Sequence, residues 1–352
     1  MSDHSAKRKI PVAVLGATGS VGQKFIQLLE DHPWFEIHAL AASDRSAGKA
    51  YHKAVNWFMD SPLPERIAKT EVQACRPSMD CPLVFSALDA SVAGDIEEDF
   101  ARAGYVVVSN ARNHRYDAHV PLLIPEVNPD HLQLLAHQPY GKGKIVTNPN
   151  CSTTGMVVAL KPLMDAFGLD AVQVVTMQAL SGAGYPGVSS LDAMDNVIPF
   201  IGGEEEKMEK EPLKILGSPE NGRVKSADFR VSASCNRVPV VDGHLESVAV
   251  RFKSKFTLSD VIAALREFTP EIQKYGLPSS PRNTIHYFEQ DHLPQPRLQR
   301  NLEGGMAVSV GRVRECSVLD VKFTVLSHNT VRGAAGGAIL NAELLKINGL
   351  IH

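Results

Sequence analysis

The stretch Ile10–Gly22, IPVAVLGATGSVG, decides the fold class of the first half of the chain. It begins with the apolar run Ile10–Leu15, which has the length of a buried strand. Three glycines follow, at Gly16, Gly19 and Gly22. Apolar side chains then recur at the spacing of one helix face, at Val21, Phe25, Leu28 and Leu29. The stretch therefore predicts a strand, a glycine turn and a helix in direct succession.

A turn of this kind has two interpretations. A helix N-terminus offers free amides and a positive dipole end, so a glycine turn in front of it binds the phosphates of a dinucleotide. The spacing here is GxxGxxG and not GxGxxG, a variant that also occurs among dinucleotide-binding proteins. The simpler alternative is a tight turn that only helps the helix to pack. The order of strand, turn and helix favours a nucleotide site that includes Gly16 and Gly19.

The loop after the second predicted strand bears on the choice between NAD and NADP. An acidic residue there hydrogen-bonds a free ribose 2′-hydroxyl, whereas arginine and hydroxyl groups suit a 2′-phosphate. Ser43, Arg45 and Ser46 form such a set, and Asp44 is the opposing residue. A plain polar loop is the alternative. The segment favours NADP.

Strand-like and helical patterns alternate through the first half of the chain. The predicted strands are Ile10–Leu15, Glu36–Ala41, Leu83–Ser86, Tyr105–Ser109 and Lys144–Thr147. Such alternation is typical of a doubly wound parallel sheet. We therefore predict the α/β fold class, with a Rossmann-like cofactor-binding domain over residues 1–150.

The pattern changes after residue 150. The predicted strands become longer, at Val172–Gln178, His244–Phe252, Ala307–Arg314 and Leu319–Leu326, and a helix is predicted over Leu258–Phe268 with Ser259 as its cap. This favours an α+β catalytic and dimerisation domain with a mixed sheet over residues 151–330. The segment 331–352 is rich in glycine and alanine, so we expect a helix that packs closely and completes the first domain.

Composition excludes several classes of function. The chain has 352 residues, a formal net charge of −3 and an ordinary share of hydrophobic residues, 44%. Without a basic excess or a basic run, nucleic-acid binding is not expected. No apolar stretch reaches the ~18 residues of a membrane span. Met1–Lys9 lacks the apolar core of a secretion signal, so we expect a cytoplasmic protein.

One of the five cysteines has a distinctive setting. Their odd number and the lack of a CxxC pair predict reduced thiols, with neither a disulfide framework nor a metal site. Cys151 follows a predicted strand and opens a helical run, in TNPNCSTTG. A helix N-terminus favours thiolate over thiol. Most cysteines are inert core residues, but the position of Cys151 and its polar neighbours favour a nucleophile.

A thiolate nucleophile needs a proton partner. Among 13 histidines, His244 stands out because it follows a turn and begins a strand. Arg237 lies on an apolar run, where an unpaired guanidinium would be costly. The alternative for both is a hairpin turn with surface polar residues. The charge run that begins with Glu204 and includes Lys207 indicates, by itself, a solvated helix face.

Taken together, these segments resemble the aspartate-β-semialdehyde dehydrogenases of archaea and fungi over nearly the whole chain. The motifs that carry the resemblance are GATGSVG (16–22), SNARNHR (109–115), NPNCSTTG (148–155), QALSGAGYPG (178–187), GGEEEKMEKE (202–211), NRVPVVDGHLE (236–246) and NTVRGAAGG (329–337). The cysteine motif, the segment from Gln178 and the Arg-x6-His spacing are together highly specific.

The resemblance implies a role for each matching residue. Cys151 would be the acyl-thioester nucleophile, with His244 as the acid/base and Gln178 orienting the substrate. Arg237 would bind the substrate α-carboxylate, and Glu204 its ammonium group. Inorganic phosphate would be bound by Arg112, Asn150 and Lys207. The cofactor, NADP, would be contacted by Thr18, Ser20, Val21, Ser86, Ser181, Gly182 and Asn329.

The implied reaction is the NADP- and phosphate-dependent interconversion of L-aspartate 4-semialdehyde and L-4-aspartyl phosphate, a step in lysine, threonine and methionine biosynthesis. A homodimer or homotetramer is implied. Reductases of N-acetyl-γ-glutamyl phosphate or malonyl-CoA share the architecture and remain alternatives, although Glu204 suits the first poorly. A non-catalytic NADP-sensing protein is a further alternative, against which the Cys151–His244 pair argues.

Overall fold

The computed structural model describes residues 8–351. Residues 1–7 and 352 lie outside the described part. The prediction that Met1–Lys9 is not a secretion signal therefore concerns residues that lie mostly outside the described part. Residue 352, the last of the predicted segment 331–352, also lies outside it. The described chain contains two six-stranded sheets and one small two-stranded sheet.

The first sheet is parallel throughout. Its strands are β1 Ile10–Leu15, β2 Phe35–Ala42, β3 Val72–Ala74, β4 Leu83–Ser86, β5 Val106–Ser109 and β6 Lys144–Thr147. They lie in the order β3-β2-β1-β4-β5-β6. Strands β4 and β5 are buried at every position, as expected where both faces of a sheet are covered. The strand order reverses between β1 and β4, and ligands of such sheets bind at that point, beyond the carboxyl ends of the strands.

Short and long helices cover this sheet. They are α1 Ser20–Leu29, α2 Tyr51–Ala54, α3 Glu65–Lys69 and α4 Ala90–Arg102. Helix α1 buries Phe25, Ile26 and Leu29 on one face. Phe25 stacks on Phe85 of β4, with ring centroids 4.9 Å apart. This packing fixes α1 on the sheet with its N-terminus directly behind the glycine turn.

The second sheet is mixed. Its strands are β7 Leu169–Gln178, β10 Arg230–Arg237, β11 His244–Phe252, β12 Ile285–Phe288, β13 Val308–Glu315 and β14 Val321–Ser327, and the two-stranded sheet is formed by β8 Ser218–Glu220 and β9 Arg223–Lys225. The order is β10-β7-β11-β14-β13-β12. Strand β10 runs parallel to β7 and β12 parallel to β13, whereas the other neighbours are antiparallel.

The remaining helices are α5 Cys151–Phe167, α6 Ser190–Ala193, α7 Glu204–Ile215, α8 Leu258–Arg266, α9 Pro296–Gln299 and α10 Gly336–Ile347. Helix α5 lies across the inner face of the second sheet and is buried over most of its length. It approaches β14 closely at Gly155, where a Cβ would fall 2.3 Å from the Ser327 hydroxyl oxygen. The second sheet therefore supports the helix that begins with Cys151.

The C-terminal segment returns to the first sheet. Val331–Ala335 forms a wide, π-type turn that leads into α10. Side chains of α10, among them Ile339 and Leu344, share a core with Phe25 of α1. Glu343 accepts a hydrogen bond from His32 at 2.8 Å. The last turn and helix of the chain thus complete the core of the N-terminal unit.

Some sequence expectations differ from the structure. The predicted Ser259 cap is wrong, because Thr257 caps α8 and its side chain accepts the Asp260 amide. Five strands, β3, β8, β9, β10 and β12, have no counterpart among the predicted strands. Strand β10 alternates polar residues with Val231, Ala233 and Cys235, the pattern of a half-buried strand, but these apolar side chains are few and mostly small, so the pattern is weak.

Candidate active site

The cap of helix α5 orients Cys151. Asn150 precedes the helix, and its side-chain oxygen accepts the amides of Ser152 and Thr153 at 3.0 and 3.2 Å. An asparagine in this position satisfies amides that the helix itself leaves without partners. Because Cys151 is the first helical residue, the cap sets the direction of its side chain.

Cys151 and His244 lie side by side although 93 residues separate them in sequence. The Cys151 Sγ is 3.2 Å from Nε2 of His244. On the other side of the ring, Nδ1 accepts the amide of Ala179 at 3.0 Å. His244 begins β11 and is fully buried, so the alternative of a surface hairpin is wrong. The structure joins the two residues that the motifs predict as nucleophile and partner.

Burial dominates the electrostatics of this pair. The pKa of Cys151 is raised to about 12, with burial as the largest cause; the Glu204 carboxylate acts in the same direction, and Lys207 opposes the change. Burial and the nearby Arg237 lower the pKa of His244 to about 3. Burial therefore opposes the thiolate that the helix N-terminus favours, and it also opposes a charged imidazole beside it.

Glu204 is the residue at which the polar groups of the site meet. It begins α7 after Gly203, whose φ of 71° forms the entry turn. Its carboxylate accepts Asn150 Nδ2 at 2.8 Å and Gln178 Nε2 at 3.3 Å, and it pairs with Lys207 at 2.5 Å. Burial opposes ionisation, but Lys207 and these hydrogen bonds lower the pKa of Glu204. The carboxylate is therefore ionised inside the site.

Only part of the charge run is a solvated helix face. Lys210 pairs with Glu206 at the surface, where both side chains are more than half exposed. Glu204 is buried, and Lys207 is only 19% exposed in its side chain. The interpretation of the whole run as a solvated face is therefore wrong at the two positions predicted as ligands.

Arg237 ends β10 with its guanidinium buried in the site. Its Nη1 donates to the main-chain oxygen of Ala179 at 2.7 Å. Gly182 leaves room for this arrangement, since a Cβ there would lie 2.8 Å from that nitrogen and 3.1 Å from Cε1 of His244. A buried guanidinium bonded to a neutral oxygen retains donors for a carboxylate ligand.

Arg115 and Glu211 belong to the site although neither was predicted. Arg115 pairs with Glu211 at 2.8 Å, and the second Glu211 oxygen accepts the Asn150 amide at 2.7 Å. Both side chains are buried, so the pair anchors the chain just before Cys151. Glu211 lies seven residues after Glu204 on α7, which puts both on one face. That spacing is the signal in the sequence that identifies Glu211.

A cavity of about 390 Å³ opens over Cys151. Three cationic side chains lie in its wall, those of Arg112, Arg115 and Lys207. Arg112 is exposed and forms no ion pair within the described chain. Asn150 also lines the cavity, but its oxygen caps α5 and its Nδ2 donates to Glu204. The three predicted phosphate ligands therefore share one cavity, with Asn150 largely engaged already.

A second cavity of about 840 Å³ follows the glycine turn. Its wall includes every residue of the turn that was predicted to bind a cofactor: Gly16, Thr18, Gly19, Ser20 and Val21. Gly16 has a φ of 72°, and a Cβ there would lie 2.4 Å from the Ala87 oxygen. Gly19 offers no side-chain cap to α1, so the first amides of that helix are left for an anion. These residues fit the phosphates of a dinucleotide.

Only one of the three residues predicted to bind the 2′-phosphate, Ser43, lines the cofactor cavity. Ser43 and Asp44 line the same cavity together with Arg76, but Arg45 and Ser46 do not. Ser86, which was predicted to contact the cofactor, does not face the cavity. Its hydroxyl is fully buried and donates to Glu97 at 2.5 Å, so its side chain is turned away from the cleft.

The two cavities are continuous. They share the residues Ser20, Val21, Leu88, Asp89, Ala183 and Gly184. Ser181, Gly182 and Asn329 line the part over Cys151, and Asn329 donates to the Ser181 hydroxyl at 2.8 Å. A molecule bound along the glycine turn therefore reaches the nucleophile without leaving the cleft.

The described residues contain neither a group of metal ligands nor a helix suited to a membrane. Within residues 8–351, no three histidine, cysteine, aspartate or glutamate side chains are grouped so as to hold a metal ion. In the same range, no helix has both the length and the apolar character needed to cross a membrane.

Similarity to known proteins agrees with this geometry. Residues 11–135 match the NAD binding domain of semialdehyde dehydrogenases, and residues 160–332 match their dimerisation domain. The chain is 51% identical to the aspartate-semialdehyde dehydrogenase of Schizosaccharomyces pombe, over 97% of this chain and 99% of that one. The chain belongs to the aspartate-semialdehyde dehydrogenase family. The resemblance inferred from the motifs is thereby confirmed.

Other aspartate-semialdehyde dehydrogenases are similar to the chain to different degrees. The Archaeoglobus fulgidus protein is 51% identical over 95% of this chain and 97% of its own. The crystal structure of the Candida albicans enzyme with NADP has a TM-score of 0.91 and 47% identity, over 97% of this chain and all of that one. The Vibrio cholerae enzyme II has a TM-score of 0.77 and 28% identity, over 97% and 99%. The predicted fold class is confirmed.

Proposed function

We propose that the chain is an NADP-dependent aspartate-semialdehyde dehydrogenase that interconverts L-aspartate 4-semialdehyde and L-4-aspartyl phosphate. The observation that carries the proposal is the Cys151–His244 contact at the end of a cleft that begins at the glycine turn. A half-buried thiol beside a histidine, open to a cavity, suits an aldehyde held covalently on sulfur. A protein that only senses NADP does not need such a contact.

Two opposite charges in the site support an α-amino acid as substrate. Glu204 is an ionised carboxylate that suits an ammonium group, and the Arg237 guanidinium suits a carboxylate in bidentate geometry. Gln178 hydrogen-bonds Glu204 and is positioned to orient the substrate beside it. An N-acetylated substrate lacks the ammonium group, and malonyl-CoA lacks it as well. The pair therefore favours aspartate semialdehyde over both alternatives.

The cationic wall of the cavity supports inorganic phosphate as the second substrate. Arg112 and Lys207 face the space over Cys151, and Arg115, which is paired with Glu211, lies beside them. A phosphate dianion is stabilised by such a set through charge-assisted hydrogen bonds. We assign phosphate binding to Arg112 and Lys207, with Asn150 contributing through its remaining amide hydrogen.

The residues of the chain then divide the reaction between them. Cys151 forms the thiohemiacetal and then the thioester, with His244 as its partner for hydrogen bonding and proton exchange. NADP, held by the glycine turn and by Ser181, Gly182 and Asn329, supplies the hydride acceptor when bound. Arg237 and Glu204 keep the substrate oriented, and phosphate displaces the Cys151 thiol from the thioester to give the acyl phosphate.

We further propose a cytoplasmic homo-oligomer. The match to a dimerisation domain supports at least a dimer. Large apolar side chains are exposed in the segment that follows the site, with Leu191 90% and Phe200 69% exposed. Light scattering of the purified protein distinguishes a dimer from a tetramer. The five cysteines are free, which suits a reducing compartment.

The test is an assay of NADPH formation with L-aspartate semialdehyde, with and without phosphate. We expect turnover that requires phosphate, and no turnover with the N-acetylated or malonyl substrates. Cys151→Ala is the matched variant: it should abolish turnover while NADP still binds, because the glycine turn is a separate site. Turnover without phosphate, or by Cys151→Ala at a tenth of the normal rate, contradicts the proposal.

A further inference from the structure

Lys214 lies in the last turn of helix α7 and binds main-chain oxygens of the loop 110–120, which follows β5. Its Nζ donates to the oxygen of Arg115 at 2.7 Å and to those of Asp117 and Val120 at 2.8 Å each. We call these three oxygens the carbonyl cage. An ammonium group has three hydrogens to donate and no acceptor, so the cage uses its full capacity.

The carbonyl cage depends on the lysine. Within residues 8–351, no main-chain amide reaches the oxygen of Arg115 or that of Val120, and both residues are buried. The Asp117 oxygen has one other partner, the amide of Val120 at 3.3 Å. A buried carbonyl without a donor is costly, and oxygens gathered around one point repel each other. The loop therefore keeps this shape only while a cation lies among the three oxygens.

Lys214 is positively charged at neutral pH. Burial lowers its pKa to about 8, while Asp117 on the loop and Glu211 on α7 act against the change. A neutral amine would have two hydrogens for three oxygens. The ammonium form is therefore the one that fits the carbonyl cage.

The loop and α7 carry the two sides of the proposed phosphate site. Arg112 lies on the loop, whereas Lys207 lies on α7, about two turns before Lys214. The loop falls in the region matched to the NAD binding domain, and α7 falls in the region matched to the dimerisation domain. The two cationic ligands therefore come from different domains. Their separation depends on contacts between the loop and the helix.

Two side chains of α7 make such contacts. Glu211 pairs with the guanidinium of Arg115 at 2.8 Å. Lys214 lies three residues later on the same helix face and binds the main-chain oxygen of the same arginine. It also binds Asp117 and Val120 further along the loop. The ion pair fixes one point of the loop, and the carbonyl cage fixes its orientation against α7.

The ligands proposed for the aldehyde do not depend on this loop. Glu204 accepts hydrogen bonds from Asn150 and Gln178, and Arg237 donates to the Ala179 oxygen. None of these partners lies in the loop. A change at Lys214 should therefore affect phosphate much more than the aldehyde.

We propose that Lys214 is a positioning residue for phosphate, whose ammonium group fills the carbonyl cage and thereby sets the distance between Arg112 and Lys207. The inference rests on the proposed function, because it concerns the phosphate site described there. It also defines a cation-binding site. Without the lysine side chain, the carbonyl cage suits a small primary ammonium ion better than a cation that has no N–H.

The first test removes the side chain and returns it in solution. Lys214→Ala keeps Cβ, and n-propylammonium supplies the three carbons and the nitrogen that are lost. We expect a lower melting temperature for this variant, and we expect n-propylammonium to raise it. Neither 1-propanol, which is uncharged, nor tetramethylammonium, which has no N–H, should do so. Wild type and Lys210→Ala, which lacks only a surface pair with Glu206, should not respond.

The melting temperatures need no substrate, so they are independent of the reaction that the chain catalyses. The same response of Lys214→Ala to all three compounds would mean that the carbonyl cage does not select an ammonium group. That result overturns the proposal, and so does the absence of any response to n-propylammonium.

The second test is the KM for inorganic phosphate. A misplacement of about 1 Å in an active site can cost ~100-fold in rate, so we expect Lys214→Ala to raise this KM by at least ~10-fold. The KM for the aldehyde should change little. Addition of n-propylammonium should restore the KM for phosphate, whereas tetramethylammonium at the same ionic strength should not.

Lys214→Met is the second variant, and it covers the case in which Lys214→Ala does not fold. Methionine keeps most of the apolar stem but has no N–H, so we expect the same rise in the KM for phosphate without a response to n-propylammonium. A wild-type KM for phosphate in Lys214→Met, or an equal rise in both KM values, overturns the proposal. Absence of phosphate-dependent turnover in the wild type contradicts the proposed function instead, and the melting temperatures still test the carbonyl cage.

Discussion

Gly333 packs so closely on Cys151 that a Cβ at position 333 would lie 2.7 Å from the Cβ of the nucleophile and 2.8 Å from its Cα. Next to it, Arg332 forms a buried bidentate pair with Glu126 at 2.6 and 2.8 Å. The C-terminal segment is thereby fixed behind the nucleophile. The position of Sγ depends on a glycine far away in sequence.

Gly333→Ala should displace Cys151 and reduce turnover. A misplacement of about 1 Å at a reacting group can cost ~100-fold in rate, and overpacking costs about 1–3 kcal/mol in stability. We expect kcat to fall by at least ~10-fold while NADP affinity stays the same. Gly202→Ala is the matched control, because nothing lies within 4 Å of a Cβ there. Equal kinetics in the two variants would show that the contact with Gly333 does not orient Cys151.

Lys207→Ala and Glu204→Ala should separate the two substrates. We expect Lys207→Ala to raise the KM for phosphate and Glu204→Ala to raise the KM for the aldehyde. Loss of one partner of a desolvated charge pair costs about 2–5 kcal/mol, although part of it comes from the partner left behind. Lys210→Ala removes an exposed pair with Glu206 and should cost about 0–1 kcal/mol. If both site variants keep the wild-type KM values for phosphate and for the aldehyde, the charge run that begins with Glu204 is only a solvated helix face.

Arg45→Ala should weaken NADP far more than NAD. A hydrogen bond to a charged group contributes about 1.5–3 kcal/mol, so we expect at least ~10-fold weaker NADP binding and little change for NAD. Arg76→Ala is the informative comparison, because Arg76 lines the cleft in the structure and Arg45 does not. Fluorescence titration of each variant with NADP and with NAD measures the two affinities. A selective loss in Arg76→Ala alone would reassign the 2′-phosphate to Arg76.

Glu246→Gln should make the protein less sensitive to alkaline pH. Glu246 is fully buried, neither carboxyl oxygen has a hydrogen-bond partner in the described chain, and burial raises its pKa well above the usual range. The unfolded chain releases this proton above about pH 4.3, whereas the folded chain keeps it. The free energy of unfolding therefore falls by up to about 1.4 kcal/mol per pH unit above that value, until the folded pKa is reached.

Urea unfolding of wild type and Glu246→Gln from about pH 5 to about pH 8 measures this dependence. The variant should gain stability relative to wild type as the pH rises. Other buried carboxyls, such as Glu97, titrate alike in both proteins and cancel in the difference. If the free energy of unfolding changes with pH in the same way for both proteins, water or another group satisfies the Glu246 carboxylate.

The sequence predicts the fold most accurately where local pattern and burial agree. Strands such as Ile10–Leu15 and His244–Phe252 have the predicted bounds because their apolar residues fill a buried face. Strand β10 was not predicted, because its apolar side chains, Val231, Ala233 and Cys235, are few and mostly small, and much of its order comes from pairing with β7. Local pattern cannot report such a partner.

In the site, too, the sequence reports local features but not contacts with distant segments. Motifs identify Cys151, His244 and Glu204, but they do not report the burial that raises the pKa of Cys151 to about 12. The helix dipole is a local property and is readable from sequence, whereas desolvation depends on every element that closes over the thiol. Arg115 and Glu211 were missed for a related reason, since their pairing joins segments 96 residues apart.

The return of α10 to the first sheet has a consequence for synthesis of the chain. His32 finds its partner Glu343 only after 311 further residues have been added. In a ribosome-bound chain without the π-type turn and α10, the apolar core of the N-terminal unit is therefore incomplete. Such a chain also lacks Gly333, which packs against Cys151. Contacts this distant in sequence slow folding, because a long loop must close first. Cys151 therefore reaches its position against Gly333 only after the π-type turn and α10 have been synthesised.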